Sequence, residues 1–170
     1  LMGSGVIAAV DSAGFKVAMR QLAATVTLVT TCEDGAWHGM PATAVTSVSV
    51  EPPSVLVCVN RSASMHGPVT RSRKLCVNLL AIQQADLCSD FGARPGTQRF
   101  GVGTWQAGPD GLPYIAEAAA CLFCTVYDTF DYGTHTIFIA KVEHVLADAT
   151  IEPLVYLAGQ MGGFRPLGSA

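Results

Sequence analysis

The apolar residues of this chain fall mainly in short β-branched runs that are separated by turn signals. Residues 25–31 form one such run, and the Asp-Gly pair that follows predicts a hairpin into a second strand over residues 39–50. A double proline ends that strand, because proline cannot donate a hydrogen bond to a ladder. The almost wholly apolar residues 54–60 then predict a third strand.

The rest of the chain predicts further strands and a few short helices. A first helix is predicted over residues 13–23, with Asp11 and Ser12 as candidate caps. The other predicted elements are short helices over residues 64–71 and 83–91 and strands over residues 75–80, 121–130, 136–146 and 154–157. Residues 92–114 are rich in glycine and proline and are predicted to form mainly a long loop, a kind of segment that tends to serve function or partners.

These elements together predict a mainly β protein. The strands have antiparallel spacing and lack the regular strand–helix alternation of a parallel sheet, which favours a β-barrel with peripheral helices. A length of 170 residues suits one domain. Only 14% of the residues are charged, against about a quarter in an average soluble protein, so we expect some apolar surface to be buried between subunits.

The charge pattern argues against nucleic acid and membrane as partners. The net charge is −3, and the ten Lys and Arg residues are spread too thinly to form a basic stripe. No apolar run reaches the roughly 18 residues that cross a bilayer, and the chain does not begin with a basic region followed by an apolar core. We therefore expect a soluble, cytoplasmic protein.

The cysteines and histidines do not predict a metal site. Cys121 and Cys124 are the closest cysteine pair, but residues three apart in a strand point to opposite faces. Without a secretion signal, the six cysteines are expected to be reduced core residues. The four histidines show no His-x-Glu or His-x-x-x-His spacing, so no metal is expected.

Residues 100–105 begin like the glycine fingerprint of a dinucleotide-binding fold. The pattern then fails, because position 106 is Gln and neither a strand before it nor a helix after it is predicted. We therefore expect no Rossmann site, and a nicotinamide would have to bind in another way.

Small and hydroxyl-bearing residues crowd residues 41–53. Small side chains let a flat ring approach the backbone, and Thr43, Thr46 and Ser47 offer hydroxyls for ring carbonyls, a sugar chain or phosphate. The alternative is an ordinary strand rich in Thr and Val. Residues 60–65 follow with two serines and an arginine at a predicted helix start, which suits an anion, although serine there is more often only a cap.

Taken in order, these stretches resemble the flavin reductase-like family, the FMN-binding split barrels that supply reduced flavin to two-component monooxygenases. The matching stretches are residues 24–31, 42–53, 55–64, 75–80, 84–91, 99–100, 133–135 and 153–156. The specificity of the resemblance lies in their joint order. It implies an antiparallel, Greek-key-like split barrel over residues 15–166, an N-terminal extension over residues 1–14, and a homodimer.

The resemblance also implies an activity and a set of binding residues. The activity is that of an NAD(P)H:flavin oxidoreductase, which takes hydride from NADH or NADPH, reduces FAD or FMN, and passes free reduced flavin to a separate oxygenase component. Residues 43–47 would line the isoalloxazine and ribityl groups. The predicted cofactor-binding residues are Thr43, Ala44, Val45, Thr46, Ser47, Asn60, Arg61, Ser62, Ser64, Met65, Phe91, Gly92, Arg99, His135 and Tyr156.

His135 is the residue that the resemblance places at the nicotinamide, as the one predicted catalytic residue. The family usually has Gly-Asp-His where this chain has Gly133, Thr134 and His135, so the histidine is retained and the acid is not. Hydride transfer between two stacked rings needs orientation and no protein nucleophile, and an imidazole can hold the carboxamide or ribose. Tyr156 would lie nearby. From the residue alone, a buried histidine satisfied by backbone is the alternative.

Two other activities fit parts of the pattern. A flavin-binding module on the same barrel would carry flavin without hydride transfer. An enzyme like pyridoxamine phosphate oxidase, on a related split barrel, would need a basic phosphate pocket, which the few Lys and Arg residues do not favour. The sequence does not distinguish FAD from FMN or NADH from NADPH.

Overall fold

The computed structural model describes residues 9–168. In chain order, its helices and strands are α1 (Ser12–Met19), β1 (Ala24–Thr25), β2 (Thr27–Glu33), β3 (Ala36–Ala42), β4 (Val45–Val50), β5 (Pro53–Asn60), α2 (His66–Ser72), β6 (Lys74–Leu79), α3 (Ala85–Ala93), β7 (Trp105–Ala107), β8 (Pro113–Ile115), β9 (Ala120–Tyr132), β10 (His135–Ala147), β11 (Val155–Leu157) and β12 (Gln160–Gly162). Short 3-10 helices lie over Ile82–Gln84, Gly96–Gly101 and Pro109–Gly111. Residues 1–8, which make up more than half of the predicted N-terminal extension, lie outside the described residues.

Seven strands form the main sheet, in the order β3-β2-β6-β9-β10-β5-β4. Each neighbouring pair in it is antiparallel. A three-stranded sheet, β1-β11-β12, and the pair β7-β8 lie beside it. The predicted antiparallel split barrel with a few short peripheral helices is confirmed.

Two tight turns carry the backbone conformation that their residues favour. Asp34 and Gly35 both have positive φ, 49° and 79°, as a two-residue hairpin turn between β2 and β3 requires. Gly133, with φ 56°, begins the turn between β9 and β10, and a Cβ there would meet nothing within 4 Å. Glycine is therefore favoured at position 133 by the positive φ of the backbone, and not because a side chain would lack space. This turn delivers His135 to the first position of β10.

The core consists of two clusters that lie on opposite faces of the main sheet. Val57, Val59 and Phe138 are fully buried in the inner cluster, whereas Leu28 and Phe91 are fully buried in the outer cluster. Alternate residues of a strand point to opposite faces, so one strand can feed both clusters. Burying a side chain such as Phe138 contributes about 1.5–3 kcal/mol.

Cys121 and Cys124 illustrate this alternation. Cys121 is buried in the outer cluster, and Cys124 is buried in the inner cluster on the other face of β9. The prediction that these two thiols point to opposite faces is confirmed.

The single strand predicted over residues 39–50 is wrong, because the structure has two strands there. β3 pairs with β2 and β4 pairs with β5, at opposite edges of the main sheet. Thr43 and Ala44 therefore carry the chain from one edge to the other. Neither residue is a glycine or proline, so no local turn signal marks the break, and β propensity alone predicts one continuous strand.

Several other element boundaries also differ from the prediction. The first helix ends at Met19, four residues early, where the Arg20 carbonyl accepts a hydrogen bond from the Ala158 amide at 2.8 Å. The predicted loop over residues 92–114 contains two 3-10 helices, β7 and the start of β8, and β12 was not predicted. Within residues 9–168, no helix is both long enough and apolar enough to span a membrane.

A buried asparagine fixes the segment that was predicted as a loop. The Asn78 side chain donates to the Leu28 carbonyl and accepts from the Ile115 amide, each at 3.0 Å. Thr30 adds a bond of 2.6 Å from its hydroxyl to the Pro113 carbonyl. These buried bonds hold β8 against the outer face of the sheet.

Candidate functional site

A cavity of about 510 Å³ opens beside the start of β4. Four of the predicted site residues line it: Thr43, Val45, Thr46 and Ser47. Pockets that bind small molecules span about 300–1,000 Å³ and combine apolar walls with a few polar groups. The volume and the hydroxyl lining of this first cavity therefore fit a flat ring that carries carbonyl groups.

Ala44 completes this group and connects it to β5. Its carbonyl accepts a hydrogen bond from the Cys58 amide at 3.1 Å, which continues the β4–β5 pairing by one residue beyond Val45. Ala44 is exposed, and its methyl group leaves the backbone open to a ligand. Residues 43–47 therefore lie together at the point where the chain crosses between the two edges of the sheet.

Two smaller cavities adjoin the first. The second cavity, of about 300 Å³, shares Thr43 with the first and is also lined by Pro41 and Tyr156. The third cavity, of about 290 Å³, shares Tyr156 with the second and lies against α1. We call the three cavities together the cleft. Gly92 supports it from behind, because a Cβ at Gly92 would lie 3.3 Å from Cγ of Pro41.

His135 and Asn60 lie opposite each other on paired strands. β10 and β5 are antiparallel with His135 aligned to Asn60, and the Cβ atoms of such partners are about 4.5–5.5 Å apart. Asn60 Oδ1 accepts bonds of 2.9 Å from both the amide and the hydroxyl of Ser62. This register brings two of the residues predicted for the ribityl or phosphate group next to the residue predicted for the nicotinamide.

His135 is exposed, and its ring is held by its neighbour in sequence. The Thr134 hydroxyl lies 2.9 Å from His135 Nδ1. Within residues 9–168, the other ring nitrogen, Nε2, has no hydrogen-bond partner. The alternative of a buried histidine satisfied by backbone is therefore wrong, and one ring nitrogen is left for a ligand.

Arg61 joins the loop after β5 to the β9–β10 turn. Its backbone amide donates to the Thr134 carbonyl at 2.9 Å, and its guanidinium donates to the Gly133 carbonyl. The guanidinium also lies 3.9 Å from a carboxylate oxygen of Asp131. The predicted anion-binding role of Arg61 stays a prediction, but the observed contacts make it a link between the loop and the turn.

The helix start predicted near Ser64 is wrong. α2 begins at His66, and Ser62 and Ser64 lie in exposed turns before it. The N-cap residue, Met65, makes no side-chain hydrogen bond to the helix. Ser62 and Ser64 can therefore offer hydroxyls to a ligand, but not as part of a helix N-terminus.

Two predicted site residues have no exposed side-chain surface. Met65 is fully buried in the inner cluster and Phe91 is fully buried in the outer cluster. The Phe91 ring packs against the rings of Phe100 and Trp105, each at 5.3 Å between centroids. These two side chains can support the cleft only through packing, so direct contact with a flavin does not fit their positions.

Arg99 also acts on the protein itself. Its guanidinium donates to the Gly39 carbonyl on β3 and to the Arg94 carbonyl, the latter at 2.6 Å, and its Cζ lies 5.9 Å from the centroid of the Phe91 ring. These contacts fasten the segment after α3 to β3. A ligand role for Arg99 stays a prediction.

The sequence prediction missed a polar network under the β9–β10 turn. Thr136 is buried and donates its hydroxyl proton to the Asp131 carboxylate, so it accepts its 2.8 Å bond from Nε2 of His66. Thr136 and Asp131 are cross-strand partners in the hairpin. The predicted gap between the two strands, over residues 131–135, concealed this pairing.

Three of the four buried thiols are poor nucleophiles, whereas a hydrogen bond with Cys76 lowers the pKa of the fourth, Cys121. Burial raises the pKa of Cys76, Cys88 and Cys124, the last to about 12, and a protonated thiol is unreactive. In the part of the chain that the structure describes, no group of three His, Cys, Asp or Glu side chains could hold a metal ion.

The family model described as flavin reductase like domain matches residues 19–165. The chain belongs to this family. The predicted resemblance is thereby confirmed over nearly the whole of the described structure.

Three relatives illustrate the match. FMN reductase (NADH) RutF of Pseudomonas syringae pv. syringae is 42% identical over 151 residues, covering 88% of this chain and 85% of that protein. The reductase component of an FADH(2)-dependent resorcinol hydroxylase from Rhizobium sp. is 38% identical over 157 residues, covering 91% and 88%. A solved structure of NADH:FAD oxidoreductase SgcE6 from Streptomyces globisporus C-1027, in complex with NAD and FAD fragments, matches with a TM-score of 0.89 and 28% identity, covering 98% of this chain and 100% of that one.

The predicted enzyme class agrees with these relatives. Their names contain a flavin, FMN or FAD, with NADH or NAD in two of them and the reductase component of a hydroxylase in the third. The prediction of a nicotinamide-dependent flavin reductase is therefore confirmed at the level of the family. The individual binding residues stay predictions.

Proposed function

We propose that this member of the flavin reductase family reduces FAD or FMN with NADH or NADPH and supplies free reduced flavin to a separate monooxygenase component. The observation that carries the proposal is the alignment of His135 with Asn60 across β10 and β5. Hydride transfer requires two planar rings stacked at contact distance. The residues that bind the two substrates must then lie side by side, as do His135, predicted for the nicotinamide, and Asn60, predicted for the ribityl or phosphate group of the flavin.

The first cavity is the flavin-ring site in this proposal. Thr43, Thr46 and Ser47 donate hydroxyls toward the ring carbonyls, and Ala44 lets the ring approach the backbone. Asn60 and Ser62 lie two and four residues beyond Cys58, the β5 residue to which Ala44 is bonded, and can hold the ribityl or phosphate group. A bound flavin supplies the hydride acceptor, and the protein supplies its position.

His135 orients the nicotinamide. With Nδ1 held by Thr134, the ring presents Nε2 to the carboxamide or ribose. Its task is to fix the angle and distance of the donor ring, because hydride transfer itself needs no protein acid or nucleophile.

The protein is a homodimer in this proposal, with the outer face of β5 and β10 as its interface. Leu56 pairs with Ile139 and Cys58 pairs with Ile137 on that face, and all four are only half-buried. Phe130, aligned with Ile137 on β9, is 55% exposed. A contiguous apolar patch of this kind marks an interaction surface, and a second copy placed on it would border the predicted site at the end of the same strands.

The subunit mass tests the interface. An Ile137→Asp change buries a charge in that face and should convert the dimer to a monomer in light scattering, whereas Leu157→Asp, on β11, should not. A wild-type protein that is monomeric at assay concentration would contradict the dimer.

The oxygenase partner and the cellular location are parts of the same proposal. Free reduced flavin can reach an oxygenase by diffusion, so the reductase needs no permanent complex with it. The relative named as a resorcinol hydroxylase reductase component supports a partner of the hydroxylase class. We place the protein in the cytoplasm, where nicotinamide coenzymes are available.

A turnover assay separates the reductase from a flavin carrier. With NADH and excess FMN or FAD, a catalytic amount of protein should give continuous, flavin-dependent loss of nicotinamide absorbance. A carrier would quench flavin fluorescence on binding but leave NADH unoxidised. Flavin binding without NADH oxidation would therefore contradict the proposed reductase function. The relatives described above are named as reductases or as an NADH:FAD oxidoreductase, which favours the reductase over the pyridoxamine phosphate oxidase-like alternative.

The His135→Ala variant tests the nicotinamide site. It should raise the KM for NADH and leave flavin affinity unchanged, because Nε2 contacts only the donor. His144→Ala is the matched control, since His144 is an exposed histidine farther along β10. An equal KM for NADH in the two variants would show that His135 does not bind the nicotinamide.

A further inference from the structure

The third cavity of the cleft is lined by two cations and two aromatic rings. Its residues are Phe15, Lys16, Met19, Arg20 and Tyr156. Lys16 and Arg20 are four residues apart at the end of α1, so they occupy the same face of the chain there. Both side chains are exposed.

These two cations differ from most of the others in the protein. Ten Lys and Arg residues occur in the chain, and six of them bind carboxylates, carbonyls or a hydroxyl: Arg61, Arg71, Arg73, Lys74, Arg99 and Lys141. Within residues 9–168, the side chains of Lys16 and Arg20 have no hydrogen bond or ion pair. In a chain with a net charge of −3, two adjacent uncompensated cations at a cavity select an anion.

The helix that carries them is held at the edge of the cleft. The Arg20 carbonyl accepts from the Ala158 amide at 2.8 Å, next to β11. Tyr156 on β11 lines both the third cavity and the second, and Thr43 lines both the second and the first. The three cavities therefore adjoin one another in a row, from the proposed flavin-ring site to the two cations.

We propose that Lys16 and Arg20 bind the pyrophosphate of a dinucleotide substrate, NADH or FAD, at the end of the cleft that lies against α1. Arginine and lysine are the usual partners of phosphate oxygens. Phe15 and Tyr156 offer aromatic faces on which an adenine can stack. The inference rests on the proposed flavin reductase function and names the residues that distinguish dinucleotides from mononucleotides.

The test compares dinucleotides with the matching mononucleotides. The double variant Lys16→Gln, Arg20→Gln should raise the KM for NADH or for FAD about tenfold, with little effect on reduced nicotinamide mononucleotide or FMN, which lack the pyrophosphate. A loss confined to NADH assigns the subsite to the donor, and a loss confined to FAD assigns it to the flavin. Lys16→Arg with Arg20→Lys keeps both charges and should retain most of the wild-type KM.

Binding of ADP provides a readout that does not depend on hydride transfer. ADP carries the adenine and the pyrophosphate alone, and titration calorimetry should show it binding to the wild type and about tenfold more weakly to the double variant. Arg94→Gln is the matched control, because Arg94 is an exposed arginine whose side chain also lacks a partner within residues 9–168 and lies outside the cleft.

Three results would overturn the inference. The first is that the KM values for dinucleotides and the affinity for ADP are the same in the wild type and the double variant. The second is that the double variant loses as much affinity for mononucleotides as for dinucleotides. The third is that the double variant has a changed subunit mass but an unchanged KM. If no substrate pair is turned over by the wild type but ADP binding still depends on the two cations, the proposed reductase function fails and the subsite stands.

Discussion

The Thr134 hydroxyl lies 2.9 Å from Nδ1 of His135, at the first position of β10. A hydroxyl can donate to an unprotonated Nδ1 or accept from a protonated one, whereas a carboxylate can only accept. The threonine that stands where the family usually has aspartate therefore keeps the ring in place while allowing either neutral tautomer.

Removing the Thr134 hydroxyl should weaken the use of nicotinamide. Thr134→Val keeps the shape of the side chain but loses a bond that contributes about 0.5–1.5 kcal/mol, so kcat/KM for NADH should fall roughly 2- to 12-fold. Thr134→Ser keeps the hydroxyl and should stay near the wild type. Steady-state kinetics with flavin at saturation measure the effect, and equal values for Val and Ser would show that the bond does not act in the reaction.

Arg61 should affect both substrates because it connects the two predicted binding segments. Arg61→Ala frees the Gly133 carbonyl and loosens the loop after β5, so the KM for flavin and the KM for NADH should both rise, about threefold to tenfold. Arg71→Ala is the control, since Arg71 pairs with Glu33 and touches neither segment. A change in one KM alone would show that Arg61 binds that ligand directly and does not couple the segments.

Gly39 should tolerate no side chain. A Cβ there would lie 2.9 Å from the Phe91 ring and 3.2 Å from the Val29 carbonyl, so Gly39→Ala should lower the free energy of unfolding by about 1–3 kcal/mol. Gly101→Ala is the control, because a Cβ at Gly101 meets nothing within 4 Å. Urea unfolding measures both, and equal midpoints would contradict the close packing of β3 on α3.

Cys124 should make the protein less stable in alkali. Burial raises its pKa to about 12 from an ordinary value of 9.0, so the folded state holds the proton more tightly than the unfolded state between these values. Stability should therefore fall as the pH rises through this window, by at most about 1.4 kcal/mol per pH unit from this thiol. Urea unfolding of Cys124→Val should show a shallower fall than the wild type between about pH 8 and about pH 10.5. Parallel curves would exclude the thiol as a cause.

Sequence patterns predicted the strands of the barrel better than their connections. Residues 54–60 and 75–80 were located almost to the residue, because nearly continuous apolar runs bounded by turn signals leave little choice. The break at Thr43 and Ala44 was missed because it depends on which strands pair at the two edges of the sheet. Pairing between distant strands leaves no local signal.

The candidate site shows the same division. Residues 43–47 could be singled out by their small and hydroxyl-bearing side chains, and they do line a cavity apart from Ala44, which adjoins it. The contacts of Arg61 could not be foreseen, because its acceptors come from a turn that is distant in sequence. The burial of Met65 and Phe91 likewise follows from tertiary packing.

The measurement that tests the central claim most directly is the redox state of flavin that the protein has released. Under anaerobic conditions, NADH and excess FMN are incubated with a small amount of protein, and the flavin in a protein-free filtrate is examined. We predict fully reduced flavin in large excess over the protein, formed in proportion to the NADH consumed. Flavin that binds the protein but stays oxidised in the filtrate would contradict the account.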